Sequence, residues 1–146
     1  MSAGLLVDTS AHFDALTAYR AGDPAAIVLE LARATHEAVA NGRILLADLR
    51  AARSEWRTRI KARSDSSAWP LVELVLRHPV IYTATVQREL GISHTNAMRA
   101  IERLVAAGAL VEVGGRRRSV LWQSTQVLTA LDGFAARAGR RGVGRA

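Results

Sequence analysis

Residues 83–108 predict two short helices joined by a tight turn, and they read TATVQRELGISHTNAMRAIERLVAAG. Gly91 can adopt the positive φ that a tight turn needs, and Ser93 can cap the following helix, 94–107. The apolar side chains expected on one side of this second helix are Ala97, Ile101, Leu104 and Val105. Two helices separated by a glycine-containing turn are typical of a helix-turn-helix.

A helix and a short strand are predicted before this pair. Ser67 is expected to cap a helix that Pro79 ends, because proline cannot continue a helix. Residues 80–82 can form a very short strand, and Thr83 is expected to cap the helix that follows, 84–90. The predicted order up to residue 107 is therefore helix, strand, helix, turn and helix.

A β-hairpin and a final helix are predicted after the pair. Gly108 is expected to end the second helix, and residues 110–113 and 119–122 are typical of two short paired strands. The tip between these strands is rich in arginine, and a last helix is expected over 125–137. Such a hairpin behind a helix-turn-helix follows the winged helix-turn-helix plan.

The start of the second helix carries side chains suited to DNA. Asn and Arg can pair bidentately with adenine and guanine edges when such a helix enters the major groove. The candidate DNA-binding residues are Ser93, His94, Thr95, Asn96, Arg99 and Arg103 on this helix, and Arg116, Arg117 and Arg118 on the wing. Two alternatives stay open. These arginines are solvated surface charges, or the module binds a protein, since Glu102 would repel phosphate.

The N-terminal part of the chain predicts long helices. Thr9 or Ser10 can cap a short first helix that runs to about Arg20, and the Ala-Gly-Asp-Pro sequence of residues 21–24 can end one helix and start another. From 25 to 63, apolar or small residues recur three and four apart, which is helical periodicity of coiled-coil type. This segment forms one long helix, or two helices broken near Gly42.

We therefore expect a mostly α chain with four parts. The parts are a long-helix hairpin or bundle at 1–63, a linker at 64–67, the winged helix-turn-helix with its small β-hairpin wing at 68–137, and a basic disordered tail at 138–146.

Composition and charge exclude several classes of protein. The 146 residues include no cysteine, which excludes a disulfide scaffold, a thiolate zinc site and a cysteine nucleophile. No apolar run approaches the roughly 20 residues that span a bilayer, and the N-terminus does not resemble a signal peptide, so we expect a cytoplasmic chain without membrane contact. The net charge is +7, and its excess of arginine over residues 94–146 favours nucleic acid as a partner.

No enzymatic or metal chemistry is predicted from the residues. The four histidines lack a converging carboxylate at metal-ligand spacing, and no glycine-rich loop follows a strand. We therefore expect no catalytic residues, no metal and no cofactor.

The chain resembles the C-terminal half of Fic-family proteins. The resemblance rests on the run ALTAYRAGDPA at 15–25, on a long helix with Trp56, and on the winged module behind it. The usual activity of the family is transfer of AMP, or a related group, from a nucleotide to a hydroxyl side chain of a target protein. The resemblance implies helices that follow a catalytic core, with an appended winged helix.

The motifs that carry the family's activity are missing from this chain. The catalytic motif is His-Pro-Phe-x-x-Gly-Asn-Gly-Arg, but His78-Pro79 is followed by Val-Ile-Tyr-Thr, and Asn41-Gly42-Arg43 lacks the histidine at the required spacing. The inhibitory motif, Ser/Thr-x-x-x-Glu-Gly/Asn, fails as well, because Leu90 follows Glu89. The resemblance therefore implies a Fic-like protein, as a fragment or a truncated gene product, without its AMP-transferase core and without enzymatic activity.

Two functions and one assembly follow as expectations. The first function is a DNA-binding winged-helix module in transcriptional regulation, with double-stranded DNA as its partner. The alternative is a docking module that presents an acidic protein target to a Fic-type AMP-transferase. Without a core to cover them, apolar residues of the N-terminal helices, among them Leu5, Leu6, Ile27, Val28 and Leu31, would be bare. We therefore expect a homodimer through these helices.

Overall fold

A computed structural model describes residues 9–114 and 120–139 of the chain. The described part is mostly helical, with a small three-stranded antiparallel sheet, as the sequence predicts at this level. The helices are α1 Thr9–Arg20, α2 Pro24–Arg59, α3 Ala68–Arg77, α4 Thr83–Leu90, α5 His94–Ala106 and α6 Thr125–Arg137. The strands are β1 Val80–Tyr82, β2 Val111–Val113 and β3 Leu121–Gln123.

The chain divides into two compact units. Unit 1 contains the described residues 9–47 and 131–139, and unit 2 contains 48–114 and 120–130. The linker predicted at 64–67 lies within unit 2.

The hydrophobic core of unit 2 is built from side chains of α2, α3, α4, α5 and α6 together with the sheet. Its large, fully buried members are Trp56, Leu71, Val72, Leu74, Val75, Ile81, Val86, Ile101, Leu104, Leu110 and Val127. The apolar positions of α5 recur three and four apart, so the helix buries one stripe and exposes the opposite face. Val105 is 40% exposed, so its predicted place on the buried side was wrong, and Ala100 is buried there instead.

The sheet of unit 2 has the strand order β1–β3–β2, with both pairings antiparallel. The two strands of the predicted hairpin pair as expected, with Val113 opposite Leu121. The short strand β1 adds to the other edge of β3, where Ile81 lies opposite Trp122 and both side chains are buried. The backbone N–H of Ser124 donates to the Pro79 carbonyl at 2.8 Å, which extends this pairing by one residue.

The turn between α4 and α5 has the predicted chemistry. Gly91 has a φ of +63°, in the left-handed region, and closes α4. The Ser93 hydroxyl accepts a hydrogen bond from the backbone N–H of Asn96 at 3.4 Å, so Ser93 caps α5. Gly108, with a φ of +74°, follows the end of α5.

Two other predicted side-chain caps do not form. Ser67 is the N-cap residue of α3 but makes no capping bond with its side chain, because the Trp69 N–H already donates to the Ser66 carbonyl at 3.1 Å and Pro70 has no N–H. Thr83 is already helical, and its hydroxyl points to the sulfur of Met98 at 3.6 Å. Serine and threonine are both common capping residues, so the local sequence did not show which hydroxyl makes a capping bond.

Replacing Gly91 by alanine is expected to lower the free energy of unfolding by about 1 kcal/mol. No atom lies within 4 Å of the position that a Cβ would take, so the cost is that of the positive φ alone. Gly42→Ala is the matched change in the opposite direction, because Gly42 lies inside α2 in open space and alanine favours a helix by about 0.5–1 kcal/mol. Urea denaturation measures whether Gly91→Ala lowers and Gly42→Ala raises the free energy of unfolding. Equal stability of the Gly91 variant and the parent protein contradicts the prediction.

Unit 1 combines α1, the N-terminal part of α2 and the C-terminal end of α6. The segment 24–59 is a single helix that Gly42 does not break, which resolves the alternative left open by its periodicity. Gly22 has a φ of +97°, and Asp23 accepts from the Ala25 N–H at 2.9 Å, as expected for the end of one helix and the start of the next.

The buried side chains of unit 1 are small or polar. Those with the least exposure are Ala15, Glu30, Ala34, Asn41 and Ala138. The Asn41 amide donates to the Phe134 carbonyl at 3.1 Å and accepts from the Arg137 guanidinium at 2.6 Å, which joins α2 to α6. Arg33 lies between Glu30 at 2.8 Å and Glu37 at 2.6 Å, and these two carboxylates hold the pKa of its guanidinium above the usual value.

Candidate nucleic-acid interface

The first turn of α5 presents a polar, exposed surface. Its N-terminal residues Ser93, His94, Thr95 and Asn96 are all exposed. The Ser93 cap satisfies the backbone N–H of Asn96 and leaves the Asn96 side chain without a described partner. An unengaged amide at the start of an exposed helix can reach a base edge.

Helical spacing places the predicted residues of α5 in two sets. Opposite the buried stripe, the outward face carries the exposed residues Thr95, Arg99, Glu102 and Ala106. Asn96 and Arg103, seven residues apart, share one flank of the helix, beside the buried Ala100. The six candidate residues 93–96, 99 and 103 therefore do not form one uniform face.

The flank of α5 forms one wall of a polar groove with a volume of about 400 Å³. The other wall is the segment between α2 and α3. The residues that line the groove are Arg63, Asp65, Ser66, Ser67, Ile92, Asn96, Arg99, Ala100 and Arg103. The groove therefore has predicted DNA-binding residues of α5 in one wall and residues 65–67 of the predicted linker in the other.

The segment 63–67 is held in place by hydrogen bonds. The Trp69 indole donates to the Arg63 carbonyl at 2.7 Å, and the guanidinium of Arg57 lies 5.2 Å from the centre of the Trp69 ring. The Arg103 guanidinium donates to the Ser66 hydroxyl at 2.6 Å across the groove. These interactions connect the segment to α3 and α5, so they fix the position of one wall of the groove relative to the other.

The arginines of the groove lack ionic partners among the described residues. No carboxylate of the described chain forms an ion pair with Arg63, Arg99 or Arg103. Other arginines of unit 2 are paired, with Arg53 on Glu73 and Arg59 on Glu55, both at 2.6 Å. The groove therefore concentrates uncompensated positive charge, which Asp65 offsets only in part.

The predicted wing residues Arg116, Arg117 and Arg118 lie outside the described residues. Strands β2 and β3, which lead to them, are antiparallel neighbours in the sheet. The exposed residues nearest to this tip include Glu112, an acidic side chain on β2.

Sequence reasoning missed Arg63, Ser66 and Ser67 as neighbours of α5. Helical periodicity ends before these positions, and a polar serine-rich segment carries no local signal of what it packs against. The 37-residue separation between Ser66 and Arg103 explains why spacing could not reveal the pair.

Other kinds of site are not found in the described part of the chain. Among residues 9–114 and 120–139, no group of three or more His, Asp or Glu side chains could hold a metal ion. Within the same residues, no helix combines the length and the apolar character needed to cross a membrane. Neither a protein-family model nor a curated protein is significantly similar to this sequence.

Proposed function

We propose that this chain is a DNA-binding module of the winged helix-turn-helix type that acts in transcriptional regulation. The observation that carries the proposal is the exposed polar surface of α5, where Arg99 and Arg103 have no ion pair among the described residues. Arg and Asn are the side chains that most often pair bidentately with guanine and adenine in the major groove.

The local architecture supports a winged helix. Helices α4 and α5 are joined by the Gly91 turn, and the antiparallel strands β2 and β3 follow α5 directly. In this arrangement α5 is the recognition helix, and the arginines at 116–118 approach the DNA backbone or the minor groove from the wing.

A docking module for an acidic protein is the second candidate. Glu102 is exposed on the outward face of α5, where DNA would bring phosphate against it, whereas a protein that is acidic opposite the arginines can place a neutral or basic side chain opposite this carboxylate. In this role the module presents a protein target to a Fic-type AMP-transferase, and the chain itself carries no catalytic step. The Fic-like origin is part of this proposal and rests on the sequence resemblance alone.

A homodimer through unit 1 is also proposed. Unit 1 buries alanines and two polar residues but leaves large apolar side chains exposed, with Val28 at 62% and Leu29 at 71%. Ile27 and Leu31 are half-buried, while Leu5 and Leu6 lie outside the described residues. Charges of both signs are interspersed over residues 1–63, so two copies can approach without strong repulsion.

Sedimentation is expected to show a dimer at tens of micromolar, because pairing removes these apolar side chains from water. Leu29→Glu should shift the protein to a monomer, since a charge would be buried at the interface. Phe13→Glu, on the exposed surface of α1, shows whether the interface extends to that helix. A monodisperse monomer of the parent protein at this concentration contradicts the proposed dimer.

Binding of labelled duplex DNA at two salt concentrations tests the main proposal. Tight binding that survives physiological salt and prefers one duplex identifies a sequence-specific regulator. Binding that is equal for all duplexes and vanishes with added salt contradicts it. An acidic polypeptide assayed in parallel then shows whether the docking module is the better description.

A further inference from the structure

We infer that the groove between residues 63–67 and α5 binds one phosphate group of the DNA backbone. The inference rests on the proposed DNA-binding function and assigns a separate task to the flank of α5. Asn96 and Arg99 would meet base edges, while Arg103 on the flank and Arg63 in the opposite wall would bind a backbone phosphate and set the register of the helix on the DNA.

The donors needed for a phosphate line the groove from both walls. Arg63 lies in one wall, Arg103 lies in the other, and Arg99 lines the groove from the same helix as Arg103. Guanidinium groups bind phosphate oxygens through paired N–H donors, and such charge-assisted bonds are stronger than those between neutral groups. Since these arginines have no ion pair among the described residues, a phosphate would not have to displace a carboxylate.

Ser66 adds a donor to the wall formed by residues 63–67. Its hydroxyl oxygen accepts from the Arg103 guanidinium at 2.6 Å and from the Ala68 N–H at 3.2 Å. Both bonds use the oxygen as acceptor, so the hydroxyl hydrogen is left to donate to an anion. The bond from Arg103 also holds that guanidinium in the groove before any ligand arrives, which reduces the entropy cost of binding.

Asp65 allows a test in which the affinity for DNA should rise instead of fall. Its carboxylate lines the groove and opposes an anion, but three arginines outnumber it. If a phosphate occupies the groove, Asp65→Asn should raise the affinity for duplex DNA, because it removes a like charge next to the ligand. A groove with only a structural role predicts only the smaller gain that removal of one negative charge at a distance from the phosphates would give.

The experiment measures duplex DNA binding by the full chain as a function of salt. Arg63→Ala is expected to lower the affinity about fivefold at ~0.15 M salt and to reduce the slope of log Kobs against log[salt] by about 0.9, the effect of neutralising one phosphate fewer. Asp65→Asn is expected to change the affinity in the opposite direction. Arg50→Ala is the matched control, because Arg50 is an exposed arginine of unit 2 that does not line the groove.

A duplex with a single neutral methylphosphonate, moved along the backbone, locates the phosphate that is bound. At one position the parent protein should bind about fivefold more weakly, whereas Arg63→Ala should show a smaller decrease at that position, because one of the groups that bind the phosphate is already missing. Circular dichroism of each variant verifies that the helices are retained.

Three results would overturn the inference, and they can be told apart. If the parent protein binds no duplex, the proposed function fails and the inference fails with it. If the parent protein binds but Arg63→Ala matches Arg50→Ala in affinity and slope, only the groove assignment fails. If inorganic phosphate alone binds with micromolar affinity, and Arg63→Ala abolishes that binding while leaving duplex binding unchanged, the groove is a site for a free anion instead of the DNA backbone.

Discussion

Trp56→Ala is expected to lower the free energy of unfolding by about 3–5 kcal/mol, the largest effect on stability that we predict for a single residue. Trp56 is completely buried in the core of unit 2, on the C-terminal part of α2. Alanine would leave a cavity of several heavy atoms among Ile60, Leu71 and their neighbours. Urea denaturation followed by circular dichroism measures the decrease.

The indole of Trp56 also anchors a polar network. Its N–H donates to the Gln126 side chain on α6, Gln126 donates to Glu55 at 2.8 Å, and Glu55 pairs with Arg59 at 2.6 Å. Trp56→Phe keeps most of the volume but removes the N–H donor, so we expect it to cost less than Trp56→Ala, about 1–2 kcal/mol for the lost hydrogen bond. The comparison separates the packing contribution from that of the hydrogen bond.

Leu46→Ala is the control for an apolar truncation on the same helix. Leu46 is 46% exposed, so its truncation should change the free energy of unfolding by less than about 1 kcal/mol. Equal destabilisation by Trp56→Ala and Leu46→Ala would contradict the assignment of Trp56 to the core.

Replacing Arg116, Arg117 and Arg118 together by alanine is expected to weaken duplex DNA binding about a hundredfold at ~0.15 M salt, since each arginine that no longer binds a phosphate accounts for about fivefold. The decrease should be similar for all duplex sequences, because phosphates carry no base information. The slope of log Kobs against log[salt] should fall by about 2.7. Filter binding or fluorescence anisotropy over a salt series measures both quantities.

Asn96→Ala and Arg99→Ala provide the contrast to the wing variant. Removing a bidentate hydrogen bond to a base should cost about 1–3 kcal/mol on the preferred duplex and much less on others, so sequence preference falls. If the wing variant binds as the parent protein does, and Asn96→Ala changes no preference, the docking of an acidic protein becomes the better proposal. The Arg50→Ala control applies here as well.

Most helices of the chain were predictable, because their signals are local. Gly22, Asp23 and Pro24 marked the boundary between α1 and α2, and the Gly91 turn marked the boundary between α4 and α5. A positive φ or a cap depends on residues within one turn of the helix, and these are adjacent in the sequence. The buried stripe of α5 followed from helical periodicity, except that Val105 is exposed and Ala100 is buried.

Competition between neighbouring residues limited these predictions. Ser66 and Ser67 are equally good capping residues by composition, and the hydroxyl of Ser66 makes the bond. Thr83 has capping chemistry but lies inside α4, where its hydroxyl faces Met98. Packing against other helices decides which of these hydroxyls makes a capping bond, and that packing involves residues far away in the chain.

The sequence by itself determined the helices, the turn at Gly91 and the polar character of the start of α5, because hydrogen bonds and periodicity over a few residues specify them. Only the tertiary structure decided that β1 pairs with β3 and that residues 63–67 lie across a groove from α5. Ser66 and Arg103 are 37 positions apart, and Ile81 and Trp122 are 41 apart, so no local pattern could join them. These pairings form because the shared core of unit 2 must bury its apolar side chains together, and that requirement depends on the whole unit.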